Sequence, residues 1–426
     1  MNTPLLKFKL EGNHGVKKSI LNFLLFFILL NSGFIITYII KPETLKMDRH
    51  KINKVLFIYP ALLQEAPFSG SSLRPIKLLE GFRKLGLEVD IISGNRKKRE
   101  KIIMEITKKI RNEYRYLFTY VESLNLPVQL SDPSHIPYFP VYEYLLLKLL
   151  KARNIPIGIY YRDIHWKFDI FRKRVSLLKW FLSYPFFYYE WSIFTTYADI
   201  IFAPHQRIAD FLPQKNKKKP KLVALPPGCE NPPEEEIIRN ISPGKELKLL
   251  YVGGITPPLY NLSLMFKALE QLKYTNIKLT ICTRERELEN LDQFYGYLKQ
   301  PNIRFVSKKA DQLKELYTEN DLVLLTLKPH TYYSFAMPVK LFEAIGYLKP
   351  IITVKNTAMG DFVEKENIGW TTNPDPESIA ALLTYLHAHP EAVMEKMENV
   401  KSIRRYHTWE QRAKAVVDAL MPFFQS

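Results

Sequence analysis

The chain has 426 residues, enough for two cores of roughly 150–200 residues each, and its 46% hydrophobic and 24% charged content excludes wholesale disorder. Two cysteines, Cys229 and Cys282, are too few and too far apart for a metal spacing or a disulfide framework, and read as small buried residues in a reducing compartment. A formal net charge of +18 asks for nucleic acid, an anionic membrane surface or phosphorylated small molecules, and the distribution of the charge must decide among them.

Residues 19–40 carry no charge. As a helix they would span about 33 Å, enough to cross a bilayer. Lysines at 7, 9, 17 and 18 precede the run and Lys41, Lys46, Arg49, Lys51 and Lys54 follow it, so the charge bias barely sets an orientation. No small-residue cleavage site follows, which makes an uncleaved transmembrane helix in a tail of residues 1–46 the expectation over a signal peptide. Met47 is a second candidate start, just ahead of the strand Val55–Tyr59.

A loop containing Gly70, Ser71 and Ser72 follows that strand, then a helix that carries Arg74 and runs to about Leu85, then the strand Val89–Ile92, together a βαβ unit. The Gly-Ser loop reads either as an N-cap turn or as a ligand contact. From Arg96 to Arg115, Ile102, Ile103, Ile106 and Ile110 recur at helical spacing among cations, which fits a solvated basic face or contact with anionic headgroups. A strand near Val128–Leu130, a helix Val141–Arg153 and a strand Ile157–Tyr161 follow, the last ending in Arg162-Asp163-Ile164-His165-Trp166. Open α/β sheets place ligands at such strand ends, so Asp163 is a candidate base or orienting carboxylate and His165 a candidate hydrogen-bond donor or base. A structural cap and a satisfied core histidine are the plainer alternatives. Phe168–Trp191 interleaves aromatics and cations without any RNA-recognition motif, so a membrane interface or internal packing is read there, and no nucleic-acid partner is expected. Strand Asp199–Ala203, a helix His205–Leu212 and the bend Pro226-Pro227-Gly228 close this half.

The α/β rhythm restarts at Leu249–Gly254. Helix Leu262–Leu272, strand Lys278–Cys282, helix Glu285–Lys299, strand Arg304–Val306, helix Ala310–Glu319 and strand Leu322–Leu327 lead to the stretch Tyr333–Ile352. Here a loop enters a helix at Pro338, places Glu343 on that helix, breaks at Lys349-Pro350 and runs into a buried strand. A helix start with open backbone N–H groups is a seat for phosphate.

Pro338-Val339-Lys340-Leu341-Phe342-Glu343-Ala344, with Gly346, Lys349-Pro350 and Ile351-Ile352 behind it, resembles the nucleotide-sugar segment of family 4 glycosyltransferases, which have the two-domain GT-B fold. The resemblance covers about residues 54–426. It implies two Rossmann-like doubly wound α/β domains facing a cleft: an acceptor domain at 47–228, a nucleotide-sugar domain at 229–404, and a final helix at 405–426 returning to the first. It implies a donor site of Gly253, Gly254, Ser334, Phe335, Ala336, Met337, Pro338, Lys340 and Glu343, with Glu343 on the ribose hydroxyls. Gly70, Ser71, Ser72 and Arg74 would face the cleft. No Asp-x-Asp motif appears, and metal-independent transfer without a cofactor is implied.

The sequence departs from the family pattern where the chemistry lies. Phe335 stands where a second Glu would contact the donor sugar, and Gly254 and Leu259 stand where a basic pair would grip the diphosphate. The expectation is a membrane-associated glycosyltransferase, its catalytic domains cytoplasmic, that moves sugar from a nucleoside-diphosphate donor to a glycan or lipid-linked acceptor in polysaccharide synthesis. A sugar-nucleotide epimerase of the same fold and a non-catalytic nucleotide-sugar or lipid-binding protein are the alternatives.

Overall fold

The computed structural model describes residues 53–63, 70–169, 172, 175–213, 220–234, 245–296, 300–309 and 312–424. The uncharged run 19–40 lies outside the described residues. Among the described residues, no helix is long and apolar enough to cross a membrane.

Two parallel six-stranded sheets organise the chain. The first has the order β2-β1-β3-β4-β5-β6, with β1 Lys54–Tyr59, β2 Glu88–Ser93, β3 Thr119–Glu122, β4 Ile157–Tyr160, β5 Ile200–Ala203 and β6 Lys221–Ala224. Helices α1 (Gly70–Lys84), α2 (Arg96–Arg111), α3 (Tyr142–Ala152) and α4 (Leu177–Tyr197) accompany it. The second sheet has the order β12-β11-β10-β7-β8-β9, with β7 Leu247–Val252, β8 Ile277–Cys282, β9 Ile303–Val306, β10 Leu322–Leu325, β11 Ile351–Val354 and β12 Gly369–Thr372. Its helices are α5 (Ser263–Gln271), α6 (Glu285–Glu289), α7 (Leu291–Tyr295), α8 (Leu313–Glu319), α9 (Val339–Gly346), α10 (Ala358–Lys365), α11 (Pro376–Ala388) and α12 (Pro390–Arg404). The central strands are apolar on both faces, as strands covered by helices on both sides must be; Val55–Ile58, Ile200–Ala203 and Leu322–Leu325 are all buried. Each sheet's strand order reverses beside its first strand, so the loops at the carboxyl ends of β1 and β3, and of β7 and β10, border the crevices in which such sheets take ligands.

The last helix, α13 (Trp409–Phe424), packs on α1 of the first domain. Two glycines permit the approach: a Cβ at Gly81 would lie 2.9 Å from the Trp409 carbonyl oxygen, and one at Gly228 would lie 2.7 Å from the Trp409 backbone nitrogen. The crossing is tied by Cys229, whose N–H donates to the His407 carbonyl at 2.8 Å and whose carbonyl accepts from the Trp409 N–H at 3.2 Å. Cys229 and Cys282 are free and buried.

Several elements differ from the sequence reading. The strand falls at Thr119–Glu122, and Val128–Leu130 is a 3-10 turn that follows Pro127, whose ring fixes the entry to that turn. The segment after His205 is likewise a 3-10 turn, Gln206–Phe211. Helix 285–299 breaks at Asn290 into α6 and α7. Helix α2 is not a basic face offered to headgroups along its whole length. Arg99 is buried under it, donating to Glu143 at 2.6 Å, to the carbonyls of Pro60 and Gly94, and to the Tyr138 hydroxyl at 2.8 Å. A guanidinium with that many acceptors can leave water, so it packs with Ile103, Ile106 and Ile110.

Candidate functional site

The donor-side residues lie at the carboxyl edge of the second sheet. Pro338 caps the start of α9 with extended backbone and no side-chain hydrogen bond; the Leu341 N–H donates to the Pro338 carbonyl at 3.2 Å, which leaves the Val339 and Lys340 N–H groups and the helix dipole for an anion. One turn in, Glu343 is held from two sides. Lys340 Nζ donates to both its oxygens at 2.9 and 2.7 Å, and the Tyr317 hydroxyl donates at 3.0 Å. Tyr317 in turn stacks on Tyr347, ring centroids 4.6 Å apart. Burial, then the Glu343 charge, drives the Tyr317 pKa upward, so this phenol stays a donor to the carboxylate.

Gly253 and Gly254 follow β7. The Gly253 N–H donates to the Cys282 carbonyl at 3.0 Å, and the Tyr251 hydroxyl donates to the Gly254 carbonyl at 2.6 Å. A Cβ at Gly254 would meet the Tyr260 ring at 2.6 Å. Any side chain at this position would have to displace the Tyr260 ring. Leu259 is committed through its carbonyl, which accepts from the Tyr333 hydroxyl. Arg284 pairs with Glu287 at 3.5 Å and Lys308 with Glu315 at 3.8 Å, both at strand ends on the same edge.

The loop ahead of α9 does not line a donor pocket uniformly. Ser334 donates its hydroxyl to Thr331 within a 3-10 turn, Thr331–Ser334, and Met337 is buried in the second-domain core. Ala336 packs partly buried against that core. Phe335 turns the other way. It is 2% exposed and belongs to the core of the first domain, its ring centroid 5.7 Å from Phe168, 5.3 Å from Phe211 and 5.1 Å from Tyr332. The position aligned with a sugar-contacting carboxylate is thus an interdomain aromatic contact.

Beside it, Tyr332 donates its hydroxyl to Asp163 Oδ2 at 3.0 Å, joining the donor loop to the end of β4. Asp163 Oδ1 accepts the His165 backbone N–H at 2.9 Å, and His165 Nδ1 lies 3.4 Å from Asp163 Oδ2. Burial opposes ionisation of Asp163, but the His165 ring and the Tyr332 hydroxyl outweigh it and hold the carboxyl below its ordinary range. A second interdomain tie is the ion pair of Arg207 with Asp361.

On the first-domain side, Gly70 and Ser71 form the start of α1, with Ser72 behind them. Arg74 is 3% exposed, its Nε 3.2 Å from Glu122 and its guanidinium 3.6 Å over the Tyr160 ring. Glu122, Arg162, Tyr332 and Tyr317 are site residues that the sequence reading did not single out. Glu122 escaped because β3 was misplaced; at the carboxyl end of a parallel strand it meets the same rule that picked Asp163. Tyr317 carried no local signal, since its partner is 26 positions away.

Two parallel sheets whose carboxyl edges meet across a cleft are the GT-B architecture. A glycosyltransferase from Rickettsia africae has the same fold, with a TM-score of 0.59 over 88% of this chain and 100% of that one at 14% identity. Anabaena HepE, solved with UDP and glucose, matches at 0.56 over 87% and 99% with 13% identity. WaaG, a glycosyltransferase involved in lipopolysaccharide biosynthesis, matches at 0.55 over 86% and 99% with 16% identity. These likenesses are of fold. Residues 233–403, which include α9 and Glu343, match the family model of group 1 glycosyl transferases. No curated protein matches the chain.

Proposed function

We propose that the chain transfers a sugar from a nucleoside-diphosphate donor, a UDP-sugar in the first instance, to a hydroxyl of a glycan or lipid-linked acceptor. The observation that carries this reading is the Tyr332–Asp163 hydrogen bond, which sets the donor loop of the second domain against the strand-end carboxylate of the first. The diphosphate sits at the start of α9 and the ribose at Glu343, which Lys340 and Tyr317 hold in one rotamer. The leaving nucleoside diphosphate develops charge where the α9 N–H groups already point. The reading requires no metal.

In this reading Asp163, its carboxyl held below the ordinary range by the His165 ring and the Tyr332 hydroxyl, orients and stabilises. His165, whose Nδ1 lies 3.4 Å from Asp163 Oδ2, is the group offered to an acceptor hydroxyl. Asp163→Asn should lower turnover by about 100-fold while changing donor affinity little. Steady-state kinetics with a direct nucleotide titration check this, and wild-type turnover in the variant would remove Asp163 from the chemistry. An epimerase would change the sugar with donor alone, whereas this reading requires an acceptor.

Association with a membrane surface is part of the proposal. The first turns of α4 leave Leu177 at 69%, Leu178 at 60% and Phe181 at 61% exposure, around the exposed Lys179, while the second half of the helix is buried. Exposed apolar side chains beside a cation suit an anionic bilayer interface. Sedimentation with phosphatidylglycerol vesicles should fall at least about fivefold on replacing Leu178 and Phe181 with Asp. Unchanged sedimentation would remove this surface from the account.

A further inference from the structure

The family's basic pair is absent after β7, yet a leaving diphosphate needs positive potential, and the first domain holds a surplus of it. Glu122 is 0% exposed at the end of β3. It receives Arg162 Nη2 at 2.9 Å and the Tyr120 hydroxyl at 2.8 Å, and pairs with Arg74, whose Nε lies 3.2 Å away without a hydrogen bond. Two guanidinium groups thus face one buried carboxylate. The Nη1 and Nη2 atoms of Arg74 are enclosed and make no hydrogen bond, although the residue is only 3% exposed. Ionised donors buried without acceptors are costly, and a fold keeps them where a counter-anion arrives. The cluster adjoins the reaction centre: Arg162 is covalently next to Asp163, and its backbone N–H donates to Ser123 Oγ at 3.1 Å. Helix α1, which carries Arg74, touches α9 across the domain boundary. A third cation stands close by. Arg412 of α13 donates to the Pro227 carbonyl at 2.9 Å and lies 5.5 Å over the Phe342 ring of α9.

We propose that Arg74 and Arg162, arranged around Glu122, form a phosphate-binding site in the first domain that supplies from across the cleft the positive charge the second domain lacks. The occupant is a phosphoryl group, either of the nucleoside diphosphate or of a phosphorylated acceptor. The planar guanidinium of Arg74, fixed on Tyr160, presents its two Nη groups as a fork suited to two phosphate oxygens. Glu122 holds both arginines in place and leaves the cluster one positive charge in excess.

The site is tested by titrating the full chain, by calorimetry, with inorganic pyrophosphate, with UDP and with glycerol phosphate. Variants Arg162→Gln and Arg74→Lys keep most of the packing, and Glu343→Ala serves as the donor-side control. Pyrophosphate should bind the wild type and lose at least about tenfold in affinity in Arg162→Gln and Arg74→Lys, and Glu343→Ala is titrated with UDP alone. Weakening of UDP in the arginine variants assigns the site to the donor; weakening of glycerol phosphate alone assigns it to the acceptor. Arg162, with about a tenth of its side chain exposed, is the substitution better placed to fold if Arg74→Lys does not. Failure of pyrophosphate to bind the wild type, or equal affinity in folded Arg162→Gln, overturns the proposal. It does so without touching the donor assignment, which stands or falls on the Glu343 variant with UDP.

Discussion

Glu343→Ala is expected to weaken nucleoside diphosphate binding by more than about tenfold, which corresponds to about 1.4 kcal/mol or more, with the thermal unfolding of the second domain little changed. The expectation rests on preorganisation. Glu343 does not search for its rotamer, because Lys340 grips both oxygens and Tyr317 donates from the other side. Its carboxylate has lone pairs beyond those two partners, and in the proposed reading ribose hydroxyls donate to them. Glu343→Gln separates the effects: the amide oxygen still accepts from Tyr317, but the ion pair to Lys340 is lost, so affinity should fall between wild type and alanine. Calorimetry with UDP measures all three proteins. Equal affinity in all three would remove Glu343 from the nucleotide site.

The second large effect concerns Phe335. Comparison with the family pattern suggests that Phe335→Glu would restore a missing sugar contact; the structure predicts the reverse. The ring lies inside the first-domain core with Phe168, Phe211 and Tyr332, so a carboxylate there would be buried among rings and close to ionised Asp163. That costs several kcal/mol unless the domains part. Phe335→Glu should therefore open the cleft, seen as a larger radius of gyration by small-angle scattering, and turnover should drop by about 100-fold or more. Phe335→Ala should do the same more mildly, since removing a buried phenylalanine costs about 3–5 kcal/mol at most sites and an opening cleft recovers part of it. A compact, active Phe335→Glu protein would contradict the account.

These two residues also show how far the sequence could be read. Glu343 lies on a helix whose Pro entry, apolar spacing and Lys-Pro exit are all local, so its place at the sheet edge followed from the pattern. The same held for β7 to β11, whereas β12, Gly369–Thr372, was not read. Phe335 sits four residues before the start of the same helix, yet its direction is set by Phe168 and Phe211, more than a hundred positions away, and no local period encodes that. Arg99 failed in the opposite sense. In a run of cations it looked solvated, but five acceptors from Pro60, Gly94, Ser131, Tyr138 and Glu143 converge on it and take it into the core. The Val128–Leu130 strand was misread because a short apolar segment after a proline satisfies a strand and a 3-10 turn equally. Thr119–Glu122, which carries the carboxylate between Arg74 and Arg162, was passed over as a result.

The two findings combine into one picture of the cleft. The second domain contributes the start of α9 and the Glu343 carboxylate; the first contributes Asp163, His165 and a buried pair of arginines; Tyr332 and Phe335 hold the halves together. The aromatic contact and the Arg207–Asp361 pair are what must separate for substrates to enter. Each domain alone lacks part of the constellation.

The measurement that tests the central claim most directly is release of nucleoside diphosphate from a panel of nucleotide sugars, with and without a glycolipid fraction as acceptor, alongside analysis of the sugar product. The account predicts that one donor gives nucleoside diphosphate in proportion to sugar incorporated into the acceptor, that neither forms with donor alone at a comparable rate, and that Asp163→Asn loses both. Conversion of the sugar with donor alone, or binding of a nucleotide sugar with no release under any acceptor, would contradict it.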